Sequence, residues 1–198
     1  MRKLVLQMQM TVDGYVAGPN GELDWMTWNW DKQLKEFVNK LHESCDTILL
    51  GRKMTEGFTQ HWESVVNNPP KESDDKALKE NFEFAKTMVN LPKIVFSKSQ
   101  KTISGKNVSI TNNNLKDELE KLKTKSGKDI IVYGGAGFVS SLIAGGHIDE
   151  LNLFINPVMI NKGMRIFDAL NKRQKLKLTK AKPYDCGITV LTYELDNN

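Results

Sequence analysis

Hydrophobic and polar positions set the order of elements along the chain. Leu4, Leu6, Met8 and Met10 alternate with Val5, Gln7 and Gln9, a period of two that predicts a first strand with one apolar face, ending at Asp13-Gly14. A second turn follows at Gly18-Pro19-Asn20-Gly21. From Asp31 to Ser44 the apolar residues Leu34, Phe37, Val38 and Leu41 recur at helical spacing, with Asp31 placed as N-cap or first-turn residue. Thr47-Ile48-Leu49-Leu50 reads as a buried strand stopped by Gly51, and Asn67-Asn68-Pro69-Pro70 as a loop. Ser73 to Asn90 carries a helical stripe of Leu78, Phe82, Ala85 and Val89. A strand follows at Lys93 to Ser97, a weaker one at Val108 to Ile110, and a helix marked by Leu115, Leu119 and Leu122. Asp129 to Tyr133 is a strand that runs into Gly134-Gly135-Ala136-Gly137. A short helix spans Phe138 to Ala144, and Leu151 to Ile155 forms another strand. The tail from Lys175 to Leu195 splits around Pro183-Tyr184-Asp185-Cys186-Gly187 into a hairpin.

Strands alternating with helices, closed by a hairpin, predict an α/β fold of three layers. Its central sheet is mostly parallel, helices cover both faces, and the C-terminal hairpin adds an antiparallel edge. A length of 198 residues suits one domain spanning 1–198. The formal net charge of +4 is too small and too scattered to argue for nucleic acid, yet it suits an anionic ligand. Cys45 and Cys186 lie far apart without a CxxC pair, so they read as structural thiols of a reducing compartment. Gln7 and Gln9 interrupt the first apolar run, which therefore reads as a strand and not a signal peptide. No stretch is long and apolar enough for a membrane span. A cytoplasmic location is the expectation.

Three strand ends carry phosphate chemistry. Gly134, Gly135, Ala136, Gly137, Phe138 and Val139 stand at a strand-to-helix junction, where glycines admit close backbone approach and a helix N-terminus offers free N–H groups. A tight packing turn is the structural alternative. The run is not a Rossmann fingerprint, because Ser140 stands where the third glycine belongs and no acidic residue ends the next strand. Nor is it a P-loop, since neither Gly105-Lys106 nor Gly127-Lys128 has the upstream glycine. Gly51, Arg52 and Lys53 place two cations directly after a buried strand, and Ser97-Lys98-Ser99 places hydroxyls and an ammonium after another. Together they suggest a dinucleotide spread over the carboxyl edge of the sheet. His42-Glu43 lacks the second histidine of a zincin, His61 and His147 stand alone, and no metal site is expected. No G-x-S-x-G elbow is present. Trp25, Trp28 and Trp30 cluster either as a lid whose aromatics stack on a flat heterocycle or as core or dimer packing.

The ordered set Met10-Thr11-Val12-Asp13-Gly14-Tyr15-Val16-Ala17-Gly18, Leu50-Gly51-Arg52-Lys53 and Val95-Phe96-Ser97-Lys98-Ser99 resembles the dihydrofolate-reductase-like superfamily. The later Val132 to Gly137, Ile148-Asp149-Glu150-Leu151, Asn156-Pro157-Val158 and Gly163-Met164-Arg165-Ile166-Phe167 resemble its riboflavin-biosynthesis reductase branch, in a stand-alone form. The resemblance implies an NADPH-dependent oxidoreductase that transfers a hydride to a small pterin-like or pyrimidine-like heterocycle. It implies that Gly51, Arg52 and Lys53 lie along the adenosine phosphates, Ser97 and Lys98 hold the 2′-phosphate, and Gly134 to Val139 cradle the pyrophosphate. Val16 and Ala17 would border the nicotinamide, and Asp13 and Trp25 would face the substrate. Asp13 or an ordered water is the candidate proton donor, with Asp31 behind it. A homodimer is implied as well, with Leu151 to Ile155 offered for pairing across it.

Three positions depart from the family pattern: Met54 replaces a threonine after the Gly-Arg pair, Asp31 is displaced by one position from the acid of folate-reducing members, and Tyr15 replaces a lysine after Asp-Gly. The zinc deaminase signature of the bifunctional enzymes is absent. Reduction of the phosphoribosylamino-pyrimidine of riboflavin synthesis, and a nucleotide-binding module without catalysis, are the alternatives.

Overall fold

The computed structural model describes residues 1–196. Eight strands form one sheet in the order β4-β3-β2-β5-β1-β6-β8-β7. They are β1 (Leu4–Thr11), β2 (Cys45–Gly51), β3 (Lys93–Phe96), β4 (Val108–Thr111), β5 (Asp129–Gly134), β6 (Glu150–Asn156), β7 (Leu176–Pro183) and β8 (Thr189–Leu195). The first six run parallel, and the C-terminal hairpin β7–β8 joins β6 antiparallel. The helices are α1 (Lys32–Glu43), α2 (Arg52–Asn67), α3 (Lys76–Asn90), α4 (Leu115–Thr124) and α5 (Ala136–Ala144).

Leu4, Leu6, Met8 and Met10 point to one face of the sheet, where Leu119 and Leu122 of α4 and Val139 and Leu142 of α5 cover them. The opposite face packs Ile48, Leu50 and Ile131 against Met88 of α3 and the Phe58 and Trp62 rings of α2. Leu34 and Val38 of α1 meet Phe154, Tyr184 and Val190 on that same face. Three layers result, as the alternation of elements predicts.

Two expectations change. β1 is a central strand buried on both faces, so Gln7 is buried along with the apolar set. β6 lies between β1 and β8 with both edges hydrogen-bonded, which leaves Leu151 to Ile155 no free edge for pairing across a dimer. One helix is missing from the sequence reading altogether: α2 runs straight on from Gly51, with Met54, Phe58 and Trp62 four residues apart along its buried side. No helix among the described residues is long and apolar enough to cross a membrane.

Candidate active site

Parallel strands place all their carboxyl ends on one edge, and the sheet opens there. β1 and β5 pair only from Leu4↔Ile130 to Leu6↔Val132. β1 nevertheless stays paired with β6 as far as Thr11↔Asn156, and β5 with β2 as far as Leu50↔Gly134. Beyond Leu6 and Val132 the two central strands therefore part. The chain leaves β1 toward α1 on one face and leaves β5 toward α5 on the other. Such a reversal of connection at adjacent strands forms the crevice in which open α/β sheets take their ligands.

One wall of the crevice has an unusual electrostatic character. Helices α1, α3 and α4 begin with a side-chain cap, supplied by Asp31, Asp75 and Asn114. α2 and α5 begin instead at Gly51 and Gly135, with no side-chain cap and no acid in the first turn. The first N–H groups of a helix lack partners within it and carry the positive end of its dipole. In α2 the first two residues are Arg52 and Lys53, which place more positive charge where the dipole already disfavours it. Both are exposed, and among the described residues neither side chain forms an ion pair or hydrogen bond.

The two glycine turns touch. A Cβ on Gly51 would stand 3.0 Å from the Cβ of Phe138 and 3.2 Å from the Gly135 nitrogen. Gly134 has φ +149°, a conformation that side-chain-bearing residues rarely adopt. On the next strand, the Phe96 ring stacks on Phe138 with centroids 5.5 Å apart and draws the end of β3 to the start of α5. Ser97 is buried there; its Oγ accepts from Gln100 N at 2.9 Å, and Asn112 Nδ2 donates to its carbonyl at 2.6 Å. Lys98 is exposed beside it and without a partner among the described residues. Gly51 to Lys53, Ser97 to Lys98 and Gly134 to Val139 are thus gathered on three adjacent strand ends. They form one uncapped, cationic surface suited to a run of phosphates.

The residues across the crevice hold one another. Val16 and Ala17 are buried after β1 and pair antiparallel with Met164: Val16 N donates to Met164 O at 2.9 Å, and Met164 N to Ala17 O at 2.8 Å. Asp13 accepts from Asn161 N at 2.7 Å and Ile160 N at 3.1 Å. The Thr11 hydroxyl and these two amides hold its carboxyl below the usual range, so it stands ionised at neutral pH. Asp31 caps α1 through Leu34 N at 2.9 Å and takes Cys186 N at 3.2 Å with its other oxygen. Burial works to raise its pKa, but the amides of Leu34 and Cys186 outweigh that and lower it. The structure therefore gives both carboxylates an anchoring role, which is the capping alternative for Asp31. Trp25 is half-buried and donates to Glu22 O in its own loop. Trp30 stacks on Phe154 at 6.3 Å, and exposed Trp28 stacks on Trp30 at 6.0 Å.

Sequence reasoning gave no role to two polar residues at this edge. Asn156, fully buried at the end of β6, accepts from Thr27 N at 2.9 Å and so pins the tryptophan loop to the sheet. Its Nδ2 donates to Gln9 Oε1 at 2.8 Å. The available signal was the polar interruption of two apolar strands, at Gln9 and Asn156.

The sequence matches the family described as RibD C-terminal domain over residues 2–190. The chain belongs to that family. The "Uncharacterized protein YyaP" of Bacillus subtilis (strain 168) is 33% identical over 192 residues, covering 97% of this chain and 94% of that protein. The Thermotoga maritima diaminohydroxyphosphoribosylaminopyrimidine deaminase/5-amino-6-(5-phosphoribosylamino)uracil reductase superposes with a TM-score of 0.65 at 18% identity. That match covers 98% of this chain and 57% of the larger one. Dihydrofolate reductase from Enterococcus faecalis, complexed with NADP(H), superposes with a TM-score of 0.58 at 16% identity over 98% of this chain and 97% of that one. The fold of this RibD C-terminal domain family member is accordingly dihydrofolate-reductase-like.

Proposed function

We propose that the protein is an NADPH-dependent reductase of a small pterin-like or pyrimidine-like heterocycle. The observation that carries this reading is the pair of adjacent, uncapped helix N-termini of α2 and α5, the first reinforced by unpaired Arg52 and Lys53. Family membership and the NADP(H)-bound neighbour of the same fold support it.

The residues present fit the cofactor. The amides at Ala136 and Gly137, with Arg52 and Lys53, would hold the pyrophosphate and adenosine phosphates. Ser97 and Lys98 would hold the 2′-phosphate, and Val16 and Ala17 would wall the nicotinamide. NADPH, when bound, supplies a hydride from its nicotinamide C4 to a C=N or C=O carbon of the substrate. The protein orients the reactants and excludes competing water. Asp13, ionised and holding Ile160 and Asn161, shapes the substrate side; the proton that completes reduction comes from water at the crevice. Reduction of the ribosylamino-pyrimidine named for the Thermotoga maritima neighbour is the second reading, and Tyr15 in place of the family lysine weighs against its phosphorylated substrate.

Titration with NADPH and NADH in matched low salt tests the proposal. Arg52→Ala weakens NADPH by about tenfold, in line with loss of a charge-assisted contact. Lys98→Ala weakens NADPH and leaves NADH unchanged. Absence of binding of either nucleotide at millimolar concentration sinks the reading.

A further inference from the structure

The sheet face that carries α4 and α5 runs out of cover at the C-terminal hairpin. The strand register carries one row through Leu151 of β6, Tyr193 of β8 and Leu178 of β7, and a second through Leu153, Leu191 and Ala181. Along the first row Leu151 is 2% exposed, Tyr193 is half-buried and Leu178 is 51% exposed. α5 and Phe167 pack against the β6 end of the rows, while β7 is exposed along almost its whole length. Leu176, paired with Leu195, continues the same face. Among the described residues, no position paired on this face is charged. The alternate rows, on the other face, hold Glu150, Glu194 and Lys177, then Asn152, Thr192 and Lys180.

A face of three strands measures about 24 Å by 14 Å, within the size range of the largest apolar patch on an ordinary monomer. Depletion of charge marks the centre of protein interfaces. It also gives a nucleic acid or an anionic lipid surface nothing to hold, and the cations of β7 are engaged on the other face: Lys180 lies over the Phe37 ring and Lys182 over the Tyr184 ring. Pairing along the free edge of β7 is disfavoured by Lys177, Lys180 and Lys182 and by the bulge between Leu178 and Lys180, devices that stop a sheet from extending. A partner therefore meets the face and not the edge. The face holds both halves of a self-complementary contact. Leu178 projects from it. About 7 Å along β7, Leu176 and Leu195 border a groove of about 60 Å³, lined also by Leu151, Phe167 and Leu170. That lining gives water almost no hydrogen-bond partner. A twofold pairing needs knob and hole on one patch, and this patch has both.

We infer that this hairpin face binds a second copy of the chain, with Leu178 of each copy seated in the groove of the other. The two hairpins stack face to face, as sheets do in a β-sandwich. Leu151, Leu176 and Leu195 stand at the amino edge of the parallel strands, and the crevice opens at the carboxyl edge. Association therefore leaves the phosphate surface open in both copies. The inference goes beyond the reductase reading and does not rest on it.

Analytical ultracentrifugation of the full chain tests it. At micromolar concentration the wild type sediments with twice the mass of one chain. Leu178→Lys carries an unpaired charge into the groove and weakens association by about a hundredfold or more. Residue 178 is exposed in the single chain, so the variant folds, which far-ultraviolet circular dichroism checks. Lys180→Gln, on the other face, leaves association unchanged. Thermal unfolding gives a second readout: Tm of the wild type rises with protein concentration and that of Leu178→Lys does not. A wild type still monomeric at submillimolar concentration overturns the inference. A dimer that survives Leu178→Lys in a folded protein, or one that Lys180→Gln dissolves, overturns it equally by placing the contact elsewhere. A monomeric wild type that binds phosphatidylserine vesicles overturns it in favour of a lipid surface.

Discussion

Gly51 and Gly135 pack backbone against backbone, and a Cβ on Gly51 would stand 3.2 Å from the Gly135 nitrogen and 3.0 Å from the Cβ of Phe138. Gly51 itself has φ −73°, an ordinary value, so its glycine is demanded by space and not by backbone strain. Gly51→Ala therefore forces the α2 and α5 turns apart. Overpacking of this kind costs about 1–3 kcal/mol, measurable by urea unfolding. NADPH affinity falls as well, because both uncapped helix ends move. A Gly51→Ala protein with wild-type stability and wild-type NADPH affinity contradicts the close-packed phosphate surface.

The Asp13 carboxyl is held below its ordinary value of 3.8 by the Thr11 hydroxyl and the amides of Asn161 and Ile160. A depressed acid stabilises the fold above its ordinary value, and that contribution is lost as pH falls through the lowered one. Asp13→Asn should lower stability at neutral pH and remove part of the acid loss. Because Asp13 is already ionised near neutrality, the pH–rate profile of the variant keeps its shape between pH 6 and about 8. Loss of a limb of that profile would instead make Asp13 the proton donor.

Much of this architecture is legible in the chain because local signals agree with the final packing. Leu34, Phe37, Val38 and Leu41 follow Asp31, and α1 forms with Asp31 as its cap. Gly134 to Gly137 end a β-branched strand, and α5 starts there. α2 was not legible, since Gly51-Arg52-Lys53 reads as a strand end followed by charged loop. The helix starts on those cations because its face of Met54, Phe58 and Trp62 packs, half-buried, against the core. Nor could the pairing of Asn156 with Gln9 be read off, as it joins residues 147 apart through a parallel register that only the folded sheet creates. The carboxylates show the converse: Asp13 and Asp31 look catalytic by residue type, and their occupied oxygens become visible only when Asn161 and Cys186 arrive from distant segments.

His42 is buried, its Nδ1 lies 2.6 Å from Val38 O, and its ring stacks on Tyr133 and meets Phe84 edge-on. Burial pushes its pKa down from 6.5 to about 4. The unfolded chain then binds more protons than the fold between those values, so stability drops as pH falls through that window. The whole loss is about 3 kcal/mol. His42→Phe keeps the aromatic packing and has nothing to protonate. Urea unfolding at pH 7 and pH 4.5 should show a smaller drop in the variant, and an equal drop in both proteins would show that other groups carry the acid sensitivity.

Lys93 is buried at the start of β3, and its ammonium donates to Val89 O at 3.0 Å, Leu91 O at 2.8 Å and Lys106 O at 3.2 Å. Val89 and Leu91 lie at the carboxyl end of α3, where carbonyls lack helical partners and the dipole favours a cation. Removing the donor leaves buried acceptors unpaired, at a cost of about 2 kcal/mol at pH 7 for Lys93→Met. Burial also pushes the Lys93 pKa from 10.5 down to about 8. Between those values the unfolded chain holds more protons than the fold, so the wild type gains stability from this group as pH rises from 8 to 10.5. The methionine variant has no such gain. The stability gap between the two proteins therefore widens with pH, measured by urea unfolding at pH 7, 8.5 and about 10. A gap that stays constant would mean that the three carbonyls hold Lys93 fully charged in the fold, as in the unfolded chain.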